Sequence, residues 1–187
     1  MTQVKPQYPP VARVNYIQGR VHMEVTVTPE GRVAVAHVIS GNPLLAASAV
    51  QAVRGWVYLP WEAESGAVEF MTTIDINFRL RHKKIALTPR EAERDLNRRV
   101  RPPQLVEKPP AQATTGLVRL RVLVGDNGQV VDSKLLAGLP SNVDAARKSV
   151  EHWTFRPARW GSLPVPWYLD VDVPVADPGL DHGAGDP

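Results

Sequence analysis

Cysteine does not occur among the 187 residues, which excludes disulfides, thiolate metal sites and a cysteine nucleophile. Small domains in such a chain rely on packing alone. Long apolar runs are also missing: no window of about 18 residues is apolar enough to span a bilayer. The opening Met1-Thr2-Gln3-Val4-Lys5-Pro6 has no apolar stretch of the kind a secretory signal requires. Read as it stands, the chain carries neither an anchor nor an export address. What is present is enough to fold: 43% of residues are hydrophobic, so a core can form. Eighteen prolines and 13 glycines imply short elements and linkers instead of long helices.

Charge is low overall but concentrated. Between Arg79 and Arg101 nine Lys/Arg stand against three acids, a local balance of +6 in a chain whose net charge is +3. The remainder therefore carries −3, and the basic character belongs to one segment. Such a segment has two readings, a surface for nucleic acid or anionic membrane and a solvated linker. Glu91, Glu93 and Asp95 interleave its charges and no aromatic accompanies them, which favours the linker and leaves no expectation of nucleic-acid binding.

A shift of 97 residues aligns 19–78 with 116–175 without a gap, and fifteen of the 60 pairs are identical. Among them are Gly19/Gly116, Val25/Val122, Gly31/Gly128, Gly41/Gly138, Trp56/Trp153, Pro60/Pro157 and Asp75/Asp172. Turn and core residues are what shared geometry retains, so the chain reads as a duplicated fold.

Each copy has the same pattern. Residues 20–28 alternate, with Val21, Met23, Val25 and Val27 on one face, a half-buried strand. Pro29-Glu30-Gly31, or Asp126-Asn127-Gly128, forms a three-residue hairpin loop, and 32–39 is the return strand. Asn42-Pro43 starts a helix whose apolar face is Ala46, Ala49, Val53 and Trp56, matched by Val143, Ala146, Val150 and Trp153. Residues 68–78 alternate again, with Ile74, Ile76 and Phe78 inward, and Val171, Val173 and Val175 as counterparts. The expected fold is α+β: two tandem β-β-α-β domains, each a three-stranded antiparallel sheet with a helix packed on one face. The domains are 5–80 and 109–176. Residues 81–108 read as a basic linker with a short polar helix, and 177–187 as a disordered tail.

Catalysis requires a nucleophile, base or metal held by neighbours, and no such constellation is legible. The five histidines, at 22, 37, 82, 152 and 182, lack helical HxxxH spacing. The loop pairs residue i with 60 − i, which sets His22 against Val38 and His37 against Met23 and puts the two rings on opposite faces. Asp75 and Asp172 take equivalent outward positions that discourage edge aggregation. No phosphate-cradling glycine loop occurs, and no cofactor or metal is implied. Trp56-Val57-Tyr58-Leu59-Pro60 and Trp153-Thr154-Phe155-Arg156-Pro157 share the pattern Trp-x-aromatic-x-Pro. Trp56, Tyr58, Trp153 and Phe155 read as core anchors instead of a ligand platform.

Pro6-Gln7-Tyr8-Pro9, Gly19-Arg20-Val21, Val27-Thr28-Pro29-Glu30-Gly31-Arg32-Val33 and the Trp56–Pro60 string, in that order and spacing, resemble the TonB C-terminal domain family over 5–80, and more weakly over 109–175. The resemblance implies a non-enzymatic periplasmic module that grips TonB-dependent outer-membrane transporters to support energised import such as siderophore uptake. The transporter's TonB box adds to the last strand, here Thr72, Thr73, Ile74, Asp75, Ile76, Asn77 and Phe78, with Gln7, Tyr8 and Pro9 near the contact. Family transducers also carry a membrane helix that couples to ExbB/ExbD, a partnership that applies here only if a longer form has such a helix. The alternative is a stand-alone envelope adaptor or scaffold that binds protein partners or peptidoglycan. Exposed edges also permit a homodimer or a pairing of the two domains. The first closing strand has no proline from Val68 to Arg79. The second copy has Pro164, Pro166 and Pro174, with Lys108-Pro109-Pro110 in place of Gln-Tyr-Pro. Copy one is therefore the expected binder and copy two a scaffold.

Overall fold

The computed structural model describes residues 1–64, 66–80, 89–108 and 116–175. Its N-terminal half begins with a short helix, α1 (Pro10–Val14), followed by the hairpin β1 (Gly19–Val27) and β2 (Val33–Ser40). Next come helix α2 (Pro43–Val53), a small hairpin of β3 (Trp61–Ala63) and β4 (Gly66–Val68), and β5 (Phe70–Phe78). Helix α3 (Pro89–Arg99) and two short strands, β6 (Val100–Arg101) and β7 (Gln104–Glu107), lead to the second half. There β8 (Gly116–Val124), β9 (Val130–Ala137) and α4 (Val143–Glu151) precede β10 (Thr154–Arg156), β11 (Ala158–Trp160), β12 (Leu163–Val165) and β13 (Trp167–Val175). The fold is α+β with antiparallel sheets, the two larger ones ordered β2-β1-β5 and β13-β8-β9.

Local chemistry explains these elements. Asn42 accepts a hydrogen bond from the Leu44 N–H at 3.1 Å, and Pro43 takes the first helical position of α2. Gly31 closes the first hairpin at φ +81°, and a Cβ there would run into the Tyr58 carbonyl oxygen. The same position in the second hairpin, Gly128, has φ +83° and would strike Phe155. In return, the N–H groups of Tyr58 and Phe155 donate to the Gly31 and Gly128 carbonyls at 2.7 and 3.1 Å. Each turn is thus tied to the chain that follows its helix.

The hairpin register departs from the one the loop alone dictates. Val27 pairs with Val33, but a bulge then skips Ala34, so that Glu24 faces His37 and Met23 faces Val38. A second shift sets His22 opposite Ser40. His22 and His37 therefore share the outer face, contrary to the sequence expectation. Each ring meets an aspartate, His22 at 2.8 Å from Asp75 and His37 at 2.7 Å from Asp132. Among the described residues no group of three or more His, Asp or Glu is placed to hold a metal ion.

Helix α2 is buried beyond its expected face: Leu44, Leu45, Val50 and Ala52 are inside along with Ala46, Ala49 and Val53. The reason is that the C-terminal half covers it, for Leu123, Ala158 and Val165 belong to the same core cluster. Sequence reading made 81–108 a linker, yet Ala92 and Leu96 of α3 enter that core at 3% and 0% exposure. Beyond them β6 pairs with β11, and β7 with β10. A second cluster gathers Val118, Leu120, Val122 and Val124 with Ala146, Val150, Trp153, Phe155, Val173 and Val175. The tail over 177–187 and Pro109-Pro110 lie outside the described residues.

Candidate partner-binding edge

In the N-terminal sheet β1 is central, so β2 and β5 are its edges. The β2 edge is occupied. Asp132 on β9, with a side chain 6% exposed, accepts the Val38 N–H at 2.7 Å, and Lys134 donates to the Ile39 carbonyl at 3.0 Å. Arg54 reaches the Val131 carbonyl at 3.0 Å. Side chains of the C-terminal half thus satisfy groups that a neighbouring strand would otherwise take. None of these contacts was legible in the sequence, because each depends on how the two halves dock.

The β5 edge is open. The strand pairs with β1 from Phe70 opposite Val27 to Phe78 opposite Gly19, and no described strand lies beyond it. In an antiparallel ladder, backbone groups that do not face the partner point the other way. Nine residues free of proline therefore present a continuous row of donors and acceptors. Ile76 and Phe78 anchor the strand in the core, Thr72 and Ile74 are half-buried, and Thr73, Asp75 and Asn77 are exposed. Asp75, on the outer face, has two partners: besides His22, the Arg20 guanidinium approaches it at 3.4 Å. Its counterpart Asp172 forms a two-pronged pair with Arg119 at 2.7 and 2.9 Å.

Gln7, Tyr8 and Pro9 are brought to one end of β5. The Tyr8 ring packs edge-on against Phe78 with centroids 5.5 Å apart, and its hydroxyl donates to the Ile17 carbonyl at 2.5 Å. Burial of the ring raises the hydroxyl's pKa, opposed by the nearby Arg13, whose guanidinium lies 5.8 Å from the ring centre. Ser48 on α2 donates to the Gln7 carbonyl. Arg13, Ile17 and Ser48 were not picked out from the sequence. The one signal for α1 is Pro10 at a helix start, with Pro9 in extended conformation before it. Just past the same end of β5, the Gln18 side-chain oxygen accepts the Leu80 N–H at 2.8 Å.

Trp56, Trp153 and Phe155 lie within the core clusters, and Tyr58 packs against the first of them. Trp56 is 8% exposed and donates its indole N–H to the Val4 carbonyl at 2.8 Å. Tyr58 packs edge-on against Phe70 at 6.0 Å. Trp153 and Phe155 are 3% and 5% exposed, with ring centroids 6.4 Å apart.

Residues 4–80 match the profile of the Gram-negative bacterial TonB protein C-terminal family. Over 70 residues the chain is 34% identical to Protein TonB of Escherichia coli (strain K12), an alignment covering 36% of this chain and 29% of that protein. The chain thus spans under a third of the length of that relative. No solved structure matches it. The matched residues contain both β5 and the Gln7-Tyr8-Pro9 segment, so it is over residues 4–80 that the chain is similar to the TonB C-terminal family.

Proposed function

We propose that the chain is a tandem of one β-β-α-β module, and that its first copy takes the TonB box of an outer-membrane transporter as an added strand on β5. The unpaired, proline-free edge of β5, ending at Phe78 beneath Tyr8, is the observation that carries this reading. Strand addition derives affinity from backbone hydrogen bonds and so tolerates varied peptide sequences. Gln7, Tyr8 and Pro9 border the added strand at one end. In support of the tandem, every pairing of β8 with β9 and β13 repeats that of β1 with β2 and β5 at a distance of 97, bulges included. The second copy acts as a scaffold: it closes the β2 edge, and its own closing strand carries Pro174, which cannot donate to a ladder. Within a transducer, this module passes force from the inner membrane to the transporter.

Calorimetric titration with a TonB-box peptide tests the edge mechanism. One peptide binds per chain, and methylating alternate backbone nitrogens on the side facing β5 abolishes binding. Undiminished binding of the methylated peptide refutes strand addition.

A further inference from the structure

The small hairpin β3–β4 has a counterpart 97 residues on, β11–β12, with identical pairing: Trp61↔Val68, Glu62↔Ala67 and Ala63↔Gly66 become Ala158↔Val165, Arg159↔Pro164 and Trp160↔Leu163. The two hairpins differ in what lies beside them. The outer edge of β11 is filled by β6, with Val100 opposite Trp160 and Arg101 opposite Arg159. The outer edge of β3 has no strand beside it among the described residues. Its surface is correspondingly bare: Trp61 is 62% and the preceding Leu59 73% exposed, whereas Ala158, at the position of Trp61, is 0% exposed. Glu62, Glu64 and Glu69 are exposed around it, and none forms an ion pair with a described residue.

We propose that the edge of β3 is a second strand-addition site, separate from β5, for an extended segment that alternates an apolar and a basic residue. The chain's own β6 shows the kind of occupant, a Val-Arg pair laid along the equivalent strand. Charge sharpens the preference. In the filled site Arg101 lies opposite Arg159, a like-charge pair; at β3 the same position is Glu62, so a basic residue there gains a cross-strand partner. An apolar residue opposite Ala63 falls on the face of Trp61, because side chains two apart share a face, and there it covers exposed indole. Backbone groups along β3 supply the ladder.

The test is titration of the synthetic peptide Arg-Arg-Val-Arg-Pro-Pro, the sequence of residues 98–103, into the full chain labelled with 15N. Saturable amide shifts at 61–63, together with the Trp61 indole signal, are expected. Glu62→Lys, at an exposed position, weakens binding roughly fivefold, and a peptide with Arg101→Glu restores it. Unchanged amide positions elsewhere in the variant's spectrum verify its fold. Absence of shifts at 61–63, shifts confined to 158–160 through displacement of β6, or equal affinity of the variant for both peptides overturns the proposal. Shifts at 72–78 alone overturn it too, while leaving the β5 reading intact. Signals at 61–63 that change with protein concentration before peptide is added give the edge to a second copy and overturn the peptide occupant.

Discussion

Tyr58 and Phe155 occupy equivalent positions and differ by one hydroxyl, which is buried in Tyr58 without a hydrogen-bond partner. Burial also raises the pKa of that hydroxyl. An unsatisfied buried polar group costs about 1–3 kcal/mol, so Tyr58→Phe stabilises the chain, and denaturant unfolding will show a higher midpoint. Trp56 and Trp153 carry the opposite expectation: truncation of either to Ala costs about 3–5 kcal/mol, with the Trp56 change also stranding the Val4 carbonyl. On the outer face of the C-terminal sheet, Arg121 and Arg119 hydrogen-bond Asp170 and Asp172 and hold both carboxyls below their usual range. Carboxyls lowered in the folded state contribute stability that is complete above the unfolded value of about 3.9. That contribution is lost as pH falls through the lower folded values. The stability difference between the wild type and the Asp170→Asn, Asp172→Asn double variant therefore vanishes below that window, and acid unfolding curves of the two proteins converge.

At the scale of elements, alternation and turn chemistry made the hairpins, α2 and the closing strands legible, since Gly31, Asn42 and Pro43 act on their immediate neighbours. The register was less so. A three-residue loop dictates pairing next to the turn, but the bulge at Ala34 lies just beyond that reach, and it reverses the face of His37. Helix α3 was recognised as a helix and misjudged as solvated. Its apolar content is two residues, Ala92 and Leu96, spaced one turn apart, and what they meet is supplied by segments far along the chain. For the proposed binding edge, Tyr8 and β5 come from the family resemblance. The occupation of β2 by Asp132 and Lys134 carries no local signature. Asp132→Ala leaves the Val38 N–H without its partner at a cost of about 1–3 kcal/mol, and hydrogen exchange at Val38 accelerates relative to the β1 amides.

Over the whole molecule, the two halves share a core: Leu123, Ala158 and Val165 pack with residues of α2 and β1, and α3 adds Leu96. A shared core couples unfolding, so heating yields one transition that coincides by far-ultraviolet dichroism and tryptophan fluorescence. Separate transitions would show that the halves are independent. The same docking has a functional consequence, because it closes β2 and leaves β5 as the long open edge of the N-terminal sheet. Among the described residues no helix is long and apolar enough to cross a membrane, and the domain's role in the proposed reading is contact, with force supplied elsewhere. The most direct measurement is the map of backbone-amide shifts in the full chain labelled with 15N on adding a TonB-box peptide. Changes along 72–78 and at Gln7 and Tyr8 are predicted, with the β2 amides unmoved; changes centred on 165–175 would contradict the assignment of the first copy as the binder.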